Sequence, residues 1–144
     1  MIDVQQLDDD CLFCKIIRGE IPCFKVHEDS DTLAFMDINP IAEGHALVIP
    51  KFHSADIHET PDVWVARTFT GAKRVAEAVQ KTFNPDGINI VQANGPGAKQ
   101  SVFHLHVHVI PRAMDDGLTM NWELVPGDMD GIGKLAERIK ANML

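Results

Sequence analysis

Five short stretches of the chain alternate or concentrate apolar residues between turn-forming segments, and one long stretch carries them at helical spacing. Residues 24–29 (FKVHED), 32–37 (TLAFMD), 45–50 (HALVIP), 88–92 (INIVQ) and 101–111 (SVFHLHVHVIP) read as strands, separated by DSD, NPIAEG and ANGPGAKQ. Between them Val65, Phe69, Ala72, Ala76, Val79 and Phe83 recur at alternating steps of four and three, one face of a long helix. Thr60 suits its N-cap, Pro61 its first position, and NPDG its end. A short helix fits the segment CLFCKIIRGE, stopped by Gly19 and Pro22, and another fits residues 131–142, with Ile132, Leu135 and Ile139 on one side. Strands follow one another without regular βα alternation. The expected fold is therefore α+β, an antiparallel sheet of about five strands with helices on one face.

The chain's 144 residues suit one domain, and 45% apolar content supports a packed core. Residues 1–10 read as a flexible solvated tail, 11–112 as the body, and 113–144 as a C-terminal extension of the same domain with a short helix. A formal charge of −8 argues against a nucleic-acid surface or a basic membrane anchor, while leaving room for a local anion site. The acidic N-terminus lacks a signal pattern, and no apolar run approaches the roughly 20 residues of a membrane span, so a cytoplasmic location is expected. Three cysteines do not make a disulfide framework.

The stretch SVFHLHVHVIPR places His104, His106 and His108 at every second position. On a strand these share one face with Val102 and Ile110, and Phe103, Leu105, Val107 and Val109 share the other, toward the long helix. Core histidines are usually single, so three in a row point to chemistry. Same-face neighbours lie roughly 6.6 Å apart, against a Zn–N bond of about 2.1 Å. One ion therefore joins two neighbours far more easily than three, and the row divides among different tasks. The preceding loop NGPGAKQS offers two glycines, the amides Asn94 and Gln100, and the Ser101 hydroxyl. Taken alone it is an ordinary hairpin loop, but it feeds directly into the imidazole face, which points to a phosphate site. A neutral imidazole is a competent nucleophile toward phosphorus, and its neighbour can bind the phosphoryl oxygens.

At this point the chain resembles the histidine triad (HIT) superfamily. The row followed by two apolar residues matches its His-x-His-x-His motif, and CLFCKIIRGEIPCFKVHEDSDTLAFMDINPIAEGHALVIPKFH is similar to the N-terminal half of the Hint branch. The resemblance runs from about Cys11 to Arg112. It implies a small α+β fold that dimerises and binds a purine nucleotide such as AMP or GMP in each protomer. It further implies nucleotidyl hydrolase or transferase activity. By position, His106 is the implied nucleophile, His108 contacts the α-phosphate, and His45 braces the row. Asn94 and Ser101 hydrogen-bond the phosphate or the leaving group, and Gln100 belongs to the same nucleotide-binding loop. Asp37 accepts from the ribose hydroxyls, and Phe13, Ile16, Ile21, Phe35 and Ile38 line the base. Many relatives have Gly-Gln-Ser before the row where this chain has Lys99-Gln100-Ser101, and the tail after Arg112 is longer than the short Hint ending.

Cys11 and Cys14 form C-x-x-C, half of a zinc site or a redox pair. The resemblance to zinc-containing bacterial members of the family implies a structural zinc on Cys11, Cys14, His53 and His104. Cys23, His27 and His58 stand outside the pattern. The expected activity is cleavage of a nucleoside phosphoramidate or acyl-adenylate at the α-phosphate through a nucleotidyl-histidine. A dinucleoside polyphosphate hydrolase, a regulatory nucleotide-binding module with incidental hydrolysis, and a metalloenzyme using the histidine row are the alternatives.

Overall fold

The computed structural model describes residues 6–120 and 123–143, so the first half of the expected N-terminal tail lies outside it. The elements are α1 (Leu12–Ile17), β1 (Lys25–Glu28), β2 (Thr32–Met36), β3 (Ala46–Pro50), α2 (Asp62–Phe83), β4 (Gly87–Val91), β5 (Val107–Arg112) and α3 (Met129–Lys140). The strands form one antiparallel sheet in the order β1-β2-β3-β5-β4. The expected α+β class, with five strands and three helices, is the observed one.

Alternation divides the sheet into two unlike faces. Ala34, Ala46, Val48, Val107 and Val109 pack against Ala72, Val75 and Val79 of α2. Their neighbours Leu33, Phe35, Leu47 and Ile49 point the other way, where Phe13 and Ile16 of α1 meet them. Helices thus cover both faces, not one as the sequence suggested. The six-residue α1 is too short to show its own periodicity, so its side of the sheet could not be read.

Helix α2 uses a face rotated from the expected one. Its buried residues are Trp64, Thr68, Gly71, Ala72, Val75 and Val79, while Phe69 and Phe83 are exposed. Small side chains explain the difference. A Cβ on Gly71 would lie 3.1 Å from Val48 Cγ1 and 3.3 Å from Thr32 Oγ1, so helix and sheet approach too closely for an aromatic residue between them. The helix starts at Asp62 after Pro61, without a side-chain cap. Thr60, expected as the cap, instead donates its hydroxyl to Asp56 O (2.6 Å) and meets Ser54 Oγ (2.6 Å). At the far end Asn84 takes the left-handed conformation that closes the helix.

Strand β5 begins at Val107, six residues later than expected. Its partners set that limit: the β3 ladder ends at Val48↔Val107 and the β4 ladder at Val91↔His108. Before Val107 the chain turns to the loop after β3, where Leu105 N–H donates to Ser54 O at 2.9 Å. His104 and His106 therefore sit on irregular backbone, and Phe103 is exposed instead of packing on α2.

Candidate active site and cysteine–histidine cluster

The two ring nitrogens of each histidine have different partners, and those partners fix the protons. His106 Nδ1 faces the carbonyl of His104 at 2.7 Å. A carbonyl only accepts, so Nδ1 carries the proton and Nε2 keeps a lone pair. His45 Nδ1 accepts from Ile41 N–H at 3.2 Å, which favours the His45 proton on Nε2, 2.9 Å from His108 Nδ1. His108 is then the acceptor at Nδ1 and carries its own proton on Nε2. The row thus presents one basic nitrogen, on His106, beside one N–H donor, on His108, with ring centroids 5.0 Å apart.

Burial disfavours the charged form of all three imidazoles. It pushes His108 down to about 4, helped by His106 and His45, against the opposing charge of Asp37. It also lowers His106 and His45, again opposed by Asp37. All three are neutral at pH 7, the form that keeps the His106 lone pair available.

His106 and His108 open into a pocket with Phe13, Ile16, Ile21, Phe35, Asp37, Ile38 and Ser101. Leu12, Pro22, Cys23, Met36, Asn39, Leu47 and Val102 complete it. The polar groups gather at the histidine end and at Asp37, and the rest is apolar, a shape suited to a flat base with a charged tail. Of the nucleotide-site residues singled out in the sequence, His45, Asn94 and Gln100 do not line this pocket. Asn94 Oδ1 accepts from Ile57 N–H (2.8 Å) and its amide bonds Gln92 (2.7 Å), tying two loops together. Gln100 is buried, accepting from Gly95 N–H (2.8 Å) and donating to Ala55 O (2.6 Å) and Val102 O (3.1 Å). Lys99 has φ 63°, a left-handed conformation in which glycine is at ease. Leu47, two residues after His45 and on β3, is a lining residue that the sequence pattern does not single out. Cys23, which stands outside the sequence pattern, is a half-buried wall residue.

A second group lies behind the first. Cys11 Sγ is 3.4 Å from His104 Nδ1, and Cys14 Sγ is 3.5 Å from both His104 Nδ1 and His53 Nδ1. Tetrahedral zinc with Zn–S near 2.3 Å and Zn–N near 2.1 Å would place sulfur and nitrogen about 3.6 Å apart. His104 Nε2 donates to Pro50 O at 2.9 Å, which leaves Nδ1 bare toward the sulfurs. Burial pushes the Cys14 thiol up to about 12, so ionisation there requires a nearby cation. These residues fit a metal ion. Residues 6–10, read as tail, lie against the cluster: His53 N–H donates to Gln6 O (2.8 Å), and Asp8 N–H points at Cys14 Sγ (3.3 Å). The groups share α1, whose Phe13 ring stands 5.9 Å from His104 and 5.3 Å from His106.

Residues 18–115 match the model of the HIT domain family. The adenosine 5′-monophosphoramidase of Saccharomyces cerevisiae is 44% identical over 95% of this chain and 85% of its own length. A crystal structure of a HIT family member from Bacillus subtilis superposes with a TM-score of 0.86 at 37% identity, over 94% of this chain and 99% of that one. A zinc-bound histidine triad family protein from Mycobacterium smegmatis superposes with a TM-score of 0.73 at 36% identity, over 92% of this chain and 98% of that one.

Proposed function

The chain belongs to the HIT domain family, and from that premise we propose that it hydrolyses purine nucleoside phosphoramidates or acyl-adenylates at the α-phosphate through a nucleotidyl-histidine. One observation carries the reading: the His104 carbonyl holds the His106 proton on Nδ1, so a bare Nε2 stands beside the His108 N–H donor in the pocket. The His106 lone pair attacks phosphorus and forms an N–P bond as the P–N or P–O bond to the leaving group breaks. His108 Nε2–H donates to a phosphoryl oxygen, where negative charge builds. A leaving amine takes one proton, for which Ser101 at the pocket edge is the donor. Water then delivers hydroxide to phosphorus, its proton going to Ser101 after loss of an amine or to solvent after loss of a carboxylate, and the N–P bond breaks with its electrons returning to His106. The adenosine 5′-monophosphoramidase activity in the name of the yeast relative supports this class of substrate.

Zinc on Cys11, Cys14, His53 and His104 has a structural part in this scheme, because four protein ligands leave no open position for a reacting water. The metal joins the N-terminal segment, the end of β3 and the start of the histidine row. The zinc-bound mycobacterial neighbour supports the assignment.

The working form is a homodimer. Strand β1 is broken by a bulge between Lys25 and His27 and carries charges. At the other edge β4, with sequence GINIV, bears no charge and leaves Ile90 exposed. Natural sheets protect free edges with bulges and charge, so β4 is the edge for a second copy. Light scattering at micromolar concentration should give twice the monomer mass, and a monomer contradicts it. Among the described residues no helix is long and apolar enough to cross a membrane, and three free cysteines suit a reducing cytoplasm.

A panel of adenosine 5′-phosphoramidate, an acyl-adenylate and a dinucleoside polyphosphate tests the activity. Turnover of the first two well above the third supports it, and saturable binding without product refutes it.

A further inference from the structure

Asp37 has a second neighbour besides the pocket. Its Oδ1 accepts from Asn39 N–H at 2.8 Å, and its Oδ2 lies 3.4 Å from His45 Nε2. That same Nε2 is 2.9 Å from His108 Nδ1, and the opposite ring nitrogen of His45 accepts from Ile41 N–H at 3.2 Å. A neutral imidazole has one N–H to place. The Ile41 amide repels it from Nδ1, and Asp37 draws it to Nε2 in a nearly dry setting, where His45 is 3% exposed.

We infer that Asp37 is a positioning residue for the histidine row: by holding the His45 proton on Nε2, beside His108 Nδ1, it keeps the His108 N–H turned toward the phosphoryl oxygens. This rests on the hydrolase reading and gives the carboxylate a role separate from the ribose contact. Asp37 and His106 are the other titratable groups that act on the pair. Asp37, His45 and His108 also have the residue types of a metal site. Metal on His45 Nε2 would drive the ring proton to Nδ1, against the Ile41 N–H, so the wiring favours a hydrogen-bond chain over a cation.

An amide at position 37 should break this arrangement. Its oxygen would keep the Asn39 N–H bond, leaving NH₂ to face the His45 N–H, donor against donor. Nitrogen-15 imidazole spectra of the nucleotide-free wild type, Asp37→Asn and Asp37→Ala proteins test the wiring directly. The wild type should show single Nε2–H tautomers at His45 and His108, and both variants should show mixtures. A 2′,3′-dideoxyadenosine phosphoramidate, which has no ribose hydroxyls for Asp37, tests the consequence. On it kcat should fall about tenfold in both variants, the size of a lost charge-assisted hydrogen bond. Unchanged tautomers, or kcat on that substrate within about twofold of wild type, overturn the role. A wild-type protein inert toward both ribose and dideoxy substrates refutes the hydrolase reading alone. The tautomer spectra need no turnover and still decide the role of Asp37.

Discussion

The carbonyl of His104 accepts the Nδ1 proton of His106 at 2.7 Å, so the backbone of one histidine sets the chemistry of the next. The side chain of His104 meanwhile points at Cys11 and Cys14. The cysteine–histidine cluster and the candidate nucleophile are thus joined through a single residue, and α1 joins them again through Phe13.

Under the proposed zinc assignment, removing the metal should loosen the pocket more than it disables the reacting group. In a Cys11→Ser/Cys14→Ser variant we expect loss of bound zinc, a lower melting temperature and a KM raised roughly tenfold, with a smaller fall in kcat. Metal analysis of untagged protein purified without chelator, with steady-state kinetics, checks this. Full zinc retention in the variant contradicts the ligand set.

Lys99 occupies a left-handed backbone position at φ 63°. That conformation costs an L-residue about 1–2 kcal/mol, against about 0.4–1 kcal/mol of unfolded-state entropy that a glycine adds. Lys99→Gly should stabilise the protein by roughly 0.5–1 kcal/mol in urea unfolding. Lys99→Ala keeps the strain and should give no such gain.

Arg112 donates from Nε to Asp116 Oδ2 (2.7 Å) and from Nη2 to Asp116 Oδ1 (2.9 Å). The guanidinium holds the Asp116 carboxyl below the usual carboxylate range. A pKa lowered on folding contributes stability above the unfolded value, near 3.9, and loses it as pH falls toward the folded one. Asp116→Asn should be less stable than wild type at pH 7, and the gap should shrink below about pH 4. A gap that stays constant with pH contradicts the linkage.

Periodicity made the sheet and the long helix legible, because each shows its spacing over many residues. It misplaced the α2 face because Phe69 and Phe83 outweighed Thr68 and Gly71 in the pattern, whereas close packing on Val48 and Thr32 selects the small ones. It extended β5 through His104 because alternation continues there, although no partner strand reaches that far. The histidine row was visible as residues but not as tautomers, since Ile41, Pro50 and the His104 carbonyl act through backbone atoms that leave no trace in sequence. Asn94 and Gln100 stand out through the loop's place before the histidine row and through the family resemblance, and their engagement with neighbouring loops is a tertiary feature that the sequence does not show.

The central claim is that His106 carries the nucleotide during turnover. Rapid quenching of wild-type protein with adenosine 5′-phosphoramidate at alkaline pH, where an N–P bond survives, followed by peptide mass spectrometry, tests it directly. We predict one adenylyl group on the peptide containing His106, decaying as AMP appears. His106→Asn should bind AMP but form no adduct and lose several orders of magnitude in kcat. Turnover near the wild-type rate in His106→Asn, or an adduct on another residue, would contradict the account.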